Sequence, residues 1–232
     1  MIIKLADLII EVKARYRYTF DFCKDYIYDA EEKPVFTVWA TDEDIEKERN
    51  TSLEFGDDVL ENTCIYRNIC REILAYGGML IHSAVISVDN CGYMFSANSG
   101  TGKTTHMNLW LKKFGSRAFV VNGDKPIIRK IGNQFWVYGT PWCGKEGLNT
   151  NVGVPLKGIT ILERAENNSI VRVENKEALF FLLTQTPIPK QTKYLELMYN
   201  NFDELLKNVP VYRLGCNMEQ EAADICYLKM SE

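Results

Sequence analysis

Ala97-Asn98-Ser99-Gly100-Thr101-Gly102-Lys103-Thr104 fits the pattern G-x-x-x-x-G-K-[ST] except at its first position, where alanine replaces glycine. Small residues let successive backbone N–H groups converge on an anion, a helix N-terminus adds a favourable dipole, and a lysine and a hydroxyl complete the set. That chemistry predicts the phosphates of a nucleotide, ATP with Mg²⁺, held by Asn98, Ser99, Gly100, Thr101, Gly102, Lys103, Thr104 and Thr105. Lys103 is expected on the β and γ groups and Thr104 on Mg²⁺. Ala97 keeps the first position small, and the departure matters only if that position requires positive φ.

Strand-then-helix context separates a working loop from a chance match. Upstream, apolar runs at 79–88 and 93–96 predict strands joined through Asp89-Asn90-Cys91-Gly92, a composition suited to a hairpin turn. Downstream, residues 104–114 read as a helix closed by Gly115. The next apolar strand, 118–121, ends in Asn122-Gly123-Asp124. A triphosphate site needs a carboxylate at the end of a neighbouring strand, so Asp124 is the candidate metal ligand or base, with a turn aspartate as the plainer alternative.

Further out, the sequence predicts a hairpin of 127–131 and 135–138 turned at Gly132-Asn133, then a glycine-rich loop over 139–153. Strands near 158–162, 170–173 and 211–214 and helices over 176–184, 193–208 and 219–230 follow. Ahead of the loop, β-prone stretches at 8–12, 16–22 and 35–40 are broken by Glu31-Glu32-Lys33-Pro34. Thr41 reads as the N-cap of a helix through 44–49, and Asp58 as the cap of a longer one in which Leu60, Cys64, Ile69 and Ile73 recur before Gly77-Gly78. The expected class is α/β, a mixed β-sheet with flanking helices, with residues 1–75 as a β-rich elaboration packed on a core of 76–232.

The chain has 232 residues, 46% hydrophobic and 25% charged, enough to bury a sizeable core. A formal charge of −4 argues against a nucleic-acid partner. No apolar run approaches bilayer length and the first residues lack an export pattern, so a cytoplasmic protein without membrane contact is expected. Seven cysteines, none spaced C-x-x-C, read as reduced thiols, and with two histidines a zinc site is not expected.

The 139–153 loop is long for a simple connection, and such loops carry binding groups. Lys145 is the candidate for a second phosphate or substrate contact, whereas Cys143 is expected to pack beside Trp142. His106, inside the loop helix, reads as structural, and Arg213 as a surface arginine or a phosphate contact.

The segment 80–128 resembles the HPr kinase/phosphorylase catalytic domain and its relative phosphoenolpyruvate carboxykinase. In that superfamily a β-hairpin feeds the phosphate loop, as 84–96 does here, and Ser99-Gly100-Thr101-Gly102-Lys103-Thr104-Thr105 is similar to the carboxykinase loop. His82 stands at the offset before the loop lysine where HPr kinases carry a functional histidine. Gly139-Thr140-Pro141-Trp142-Cys143-Gly144-Lys145 and Val211-Tyr212-Arg213-Leu214-Gly215-Cys216 resemble segments of small HPr-kinase-like proteins from bacterial peptide-modification clusters. The resemblance spans about 79–216.

HPr kinases carry two adjacent aspartates where this chain has Gly123-Asp124, which makes Glu146 a candidate replacement base. The signature segment for phosphorolysis is not evident, and the carboxykinase substrate arginines find no match. The resemblance thus implies a P-loop kinase core that moves the γ-phosphoryl group of ATP to a serine-like hydroxyl of a peptide, protein or small molecule, with Asp124, Lys103, His82 and Glu146 as the catalytic set. The alternative is a nucleotide-binding regulatory module without catalysis.

Overall fold

The structure is a computed structural model that describes residues 1–29, 31–51 and 54–232. The N-terminal part holds strands β1 (Ile2–Leu5) and β2 (Leu8–Lys13), helix α1 (Arg17–Phe22), strand β3 (Phe36–Trp39) and helices α2 (Asp42–Arg49) and α3 (Asp57–Glu72). The strands form a sheet of order β1-β2-β3, antiparallel then parallel. Thr41 caps α2 in a reciprocal box with Asp44, as the sequence suggests. α3 starts one residue before the expected cap, with Gly56 in the capping position.

One expectation is overturned here: of 16–22, read as a strand, residues 17–22 are helical and Tyr16 is the extended residue that precedes them. The buried Glu61 carboxylate of α3 accepts from the backbone N–H of Arg15 at 2.8 Å and of Tyr16 at 3.1 Å. A buried acceptor supplied from elsewhere in the chain thus satisfies donors at the start of α1, and aromatic β-propensity loses to that tertiary contact.

The core continues with β4 (Gly78–Leu80), β5 (Ala84–Val88), β6 (Cys91–Ser96), α4 (Lys103–Phe114), β7 (Ala118–Asn122), β8 (Ile127–Ile131) and β9 (Gln134–Tyr138). It ends with β10 (Gly153–Arg164), β11 (Ser169–Arg172), α5 (Asn175–Thr184), α6 (Thr192–Asn208), β12 (Val211–Cys216) and α7 (Gln220–Ser231). The expected single strand over 79–88 is two strands. The chain breaks at 81–83 to pass from β8's neighbour to β6's neighbour, and the freed amides of His82 and Ser83 donate to Gln185 O at 2.7 Å and Asp124 O at 2.9 Å.

The nine-stranded sheet runs β4-β8-β9-β10-β6-β5-β7, with β12 also on β10 and β11 on β12. β10 joins the two limbs: 153–155 pair with β9 and later residues pair with β6 and β12. The β5–β6 turn is tighter than expected, with only Asp89 and Asn90 at positive φ, and Cys91 and Gly92 lie in β6. A Cβ on Gly92 would sit 2.7 Å from Val137 and 2.9 Å from Val154, so this glycine serves close packing.

Helices cover both faces. Ile86, Phe95 and Leu214 share a buried cluster with Trp110 of α4 and Cys226 of α7. Their strand neighbours Val85, Met94 and Val211 pack with Leu182 of α5 and Phe202 of α6. That alternation is what a sheet covered on two sides requires. β6 and β10 are parallel, and β5 runs antiparallel between β6 and β7. The C-terminal ends of β6, β7 and β10 and the N-terminal end of β5 therefore meet at one edge.

Candidate functional site

That edge carries the glycine loop. Gly100 (φ +77°) and Gly102 (φ +125°) occupy backbone conformations that favour glycine, yet an added Cβ at either would meet nothing within 4 Å. These glycines set backbone direction and do not make room. Ala97 is fully buried and not among the positive-φ residues, so alanine at the first position carries no strain. Among the described residues, the N–H groups of Ser99, Gly100 and Gly102 donate to no protein acceptor, and the first turn of α4 holds no carboxylate. Asn98, Thr104 and Thr105 are exposed and Thr101 is half-buried.

Lys103 turns back across the loop and its Nζ donates to Ala97 O at 3.3 Å. Burial lowers the pKa of this ammonium, and the Asp124 carboxylate acts on it in the opposite direction. Lys103 and Asp124 are thus within electrostatic reach of each other.

Asp124 follows β7 and is held on every side. Asn122 Oδ1 accepts from the N–H of Asp124 at 2.9 Å and of Lys125 at 2.7 Å, which fixes the turn. Asp124 Oδ1 lies 2.8 Å from His82 Nε2, and Oδ2 accepts from Lys125 Nζ at 2.6 Å. Burial alone would raise this carboxyl, but the hydrogen bonds from His82 and Lys125 outweigh it and hold the pKa at about 2. An ionised carboxylate has no proton to give, so the His82–Asp124 bond is donated by the imidazole. His82 comes from the break between β4 and β5, 42 residues from its partner.

The 139–153 loop borders the same carboxylate. A Cβ on Gly144 (φ +81°) would lie 3.1 Å from Asp124 Cβ and 3.5 Å from Glu146 Oε2, which brings Glu146 beside Asp124. Lys145 is exposed and makes no ion pair among the described residues. Position 123 faces this loop: a Cβ there would meet Cys143 O at 3.1 Å and Leu148 O at 3.4 Å, so a second aspartate would crowd the loop backbone. Cys143 is buried and burial raises its thiol pKa, which opposes a nucleophilic role. Trp142 packs against Tyr66 and Phe22.

Two side chains at this edge escape sequence reasoning. Lys125 neutralises Asp124, a pairing suggested only by adjacency. Arg164, at the end of β10, donates through Nη2 to Gly100 O at 2.6 Å and through Nε to Thr101 O at 3.3 Å. Its separation of more than sixty residues from the loop leaves no local signal; the parallel β6–β10 pairing brings it there. Arg213 instead pairs with Glu163 and Glu177. His106 is buried and accepts from Trp110 Nε1 at 2.9 Å, the structural role expected of it.

A family described as SynChlorMet cassette protein ScmC matches residues 48–222. No curated protein matches. Among solved structures, the HPr(Ser) kinase/phosphatase from Coxiella burnetii is similar at a TM-score of 0.38 and 11% identity, over 66% of this chain and 99% of that chain. No helix among the described residues is long and apolar enough to cross a membrane.

Proposed function

The chain belongs to the SynChlorMet cassette protein ScmC family, and for it we propose an ATP- and Mg²⁺-dependent kinase that transfers the γ-phosphoryl group to a hydroxyl. One convergence carries the reading: three loop amides without a protein acceptor among the described residues, an ammonium and an ionised carboxylate bonded to an imidazole stand at the same sheet edge. In open α/β sheets, ligands bind beyond the carboxyl ends of the strands.

The residues suit the groups assigned to them. Ser99, Gly100 and Gly102 offer N–H donors, Lys103 a positive charge, and Thr104 a hydroxyl on the first turn of α4. Each oxygen of Asp124 accepts one hydrogen bond and retains a lone pair for a further contact. A divalent ion held by Asp124 and Thr104 would neutralise charge on the phosphates. Transfer forms a bond between the acceptor oxygen and the γ-phosphorus and breaks the bond from that phosphorus to the bridging oxygen; ADP leaves with the electron pair. Because His82 donates through Nε2, its other ring nitrogen, Nδ1, would take the acceptor proton. Asp124 orients the ring and balances its charge.

Calorimetry with ATP and Mg²⁺, together with γ-phosphate transfer to a panel of serine peptides and small alcohols, tests this. Lys103→Ala should weaken nucleotide binding tenfold or more. His82→Gln and Asp124→Asn should retain binding within a few-fold while kcat falls about 100-fold, the usual scale of acid–base loss. Undiminished transfer in both Lys103→Ala and Asp124→Asn would end the assignment. The closed position at Gly123 favours a second reading, a nucleotide-binding regulatory module; binding without transfer to any acceptor would select it.

A further inference from the structure

A cleft of about 330 Å³ lies between α2 and α3 on one side and residues 187–191 on the other. Both walls lead to Asp124. On the α3 side, Cys70 lines the cleft and Tyr66 of the same helix lies under Lys125, whose Nζ sits 5.9 Å above the ring and 2.6 Å from Asp124 Oδ2. On the other side, the chain runs from Pro187 back to Gln185, whose carbonyl accepts from the His82 N–H at 2.7 Å. Each wall is thus joined, through a short run of contacts, to the imidazole and carboxylate to which the phosphoryl step was assigned.

Its lining narrows what enters. Four cations (Lys47, Arg67, Arg71, Lys190) face two carboxylates (Asp44, Glu48). Asp44 is spent on the α2 capping box, and Glu48 pairs with Arg67 at 2.8 Å. Glu43 and Glu72, outside the lining, pair with Lys47 and Arg71. Their cationic partners are at least partly exposed, and ion pairs in contact with solvent contribute little and yield to an arriving anion. Lys190 has no carboxylate partner among the described residues. Pro187 and Pro189 remove backbone donors from that wall, and Ile188 between them stands 59% exposed, an apolar contact beside the charges.

We propose that this cleft is the acceptor site and takes a peptide segment whose hydroxyl residue is flanked by acidic side chains. The proposal rests on the kinase reading and adds the substrate class to it. An open, charge-lined trough suits a chain passing through it better than a small molecule, whose sites are enclosed and mainly apolar.

Two fluorescein-labelled peptides, Glu-Glu-Ser-Glu-Glu and Lys-Lys-Ser-Lys-Lys, serve as probes in anisotropy titrations with the whole chain in ADP and Mg²⁺, while ATP binding is followed separately by calorimetry. The acidic peptide should bind at least tenfold more tightly than the basic one. Arg67→Glu with Lys190→Glu, both on exposed side chains and checked by thermal melting, should abolish that preference and leave ATP affinity unchanged. Equal binding of the two peptides, or acidic-peptide affinity unaltered in the double variant, overturns the proposal while intact ATP binding preserves the kinase reading. Peptide binding by a chain that binds no ATP overturns the acceptor role together with that reading.

Discussion

At the scale of single residues, the glycine loop separates two uses of small side chains that look alike in the sequence. Gly102 stands at φ +125° with open space where a Cβ would go, so Gly102→Ala meets a backbone penalty and no clash. Such strain costs about 1–3 kcal/mol. Ala97 carries no such strain, so Ala97→Gly removes only a buried methyl group. The expected outcome is that Gly102→Ala weakens ATP binding at least tenfold and Ala97→Gly leaves it within threefold, read by calorimetry; the reverse order would refute this division of roles. The lysine, the aspartate and the loop were legible because their chemistry is local. Arg164 and Lys125 were not: what places an arginine from β10 on Gly100 O is strand order, which no spacing in the sequence encodes.

At the scale of elements, strands were legible in the β5–β6 and β8–β9 hairpins, where an apolar run ends at a turn residue, whereas the short β1 before the Ala6-Asp7 turn was not expected. They were misread where a distant side chain decides, as Glu61 does for α1. Helix α4 shows a similar dependence on what lies beneath it. Burial pushes the His106 pKa down to about 4 from an ordinary value of 6.5; Nε2 accepts from Trp110, and Nδ1 has no partner among the described residues. Between pH 6.5 and 4 the unfolded chain takes up this proton first, so stability is complete above that window and falls as pH drops through it, by up to roughly 3 kcal/mol. Asp124, depressed to about 2, adds a loss only below about pH 4. Denaturant melts at pH 7 and pH 4.5 on the native chain and on His106→Leu should show the native chain losing more of its stability. Parallel losses would mean that His106 does not titrate as described.

At the scale of the molecule, the N-terminal sheet and the core share one apolar cluster, in which Ile3, Val12 and Ile65 pack with Leu80, Ile127, Tyr138 and Trp142. Polar ties reinforce it: the Tyr138 hydroxyl donates to Asp7 at 2.6 Å and Arg129 Nη1 donates to Ala6 O at 2.9 Å, both acceptors in the tight β1–β2 turn. Trp142 is the hinge pin of this arrangement, since its ring packs against Phe22 and Tyr66 while its loop reaches Asp124 through Gly144. Its Nε1–H is buried without a partner among the described residues, so Trp142→Phe removes an unsatisfied donor along with some volume and should cost little. Trp142→Ala leaves a cavity and should cost about 3–5 kcal/mol. If the two parts unfold together, that variant shows a single transition at lower temperature, with hydrogen exchange accelerated in β1–β3 and in 139–153 alike. Two transitions, or faster exchange confined to the loop, would show that the N-terminal sheet holds its fold without Trp142.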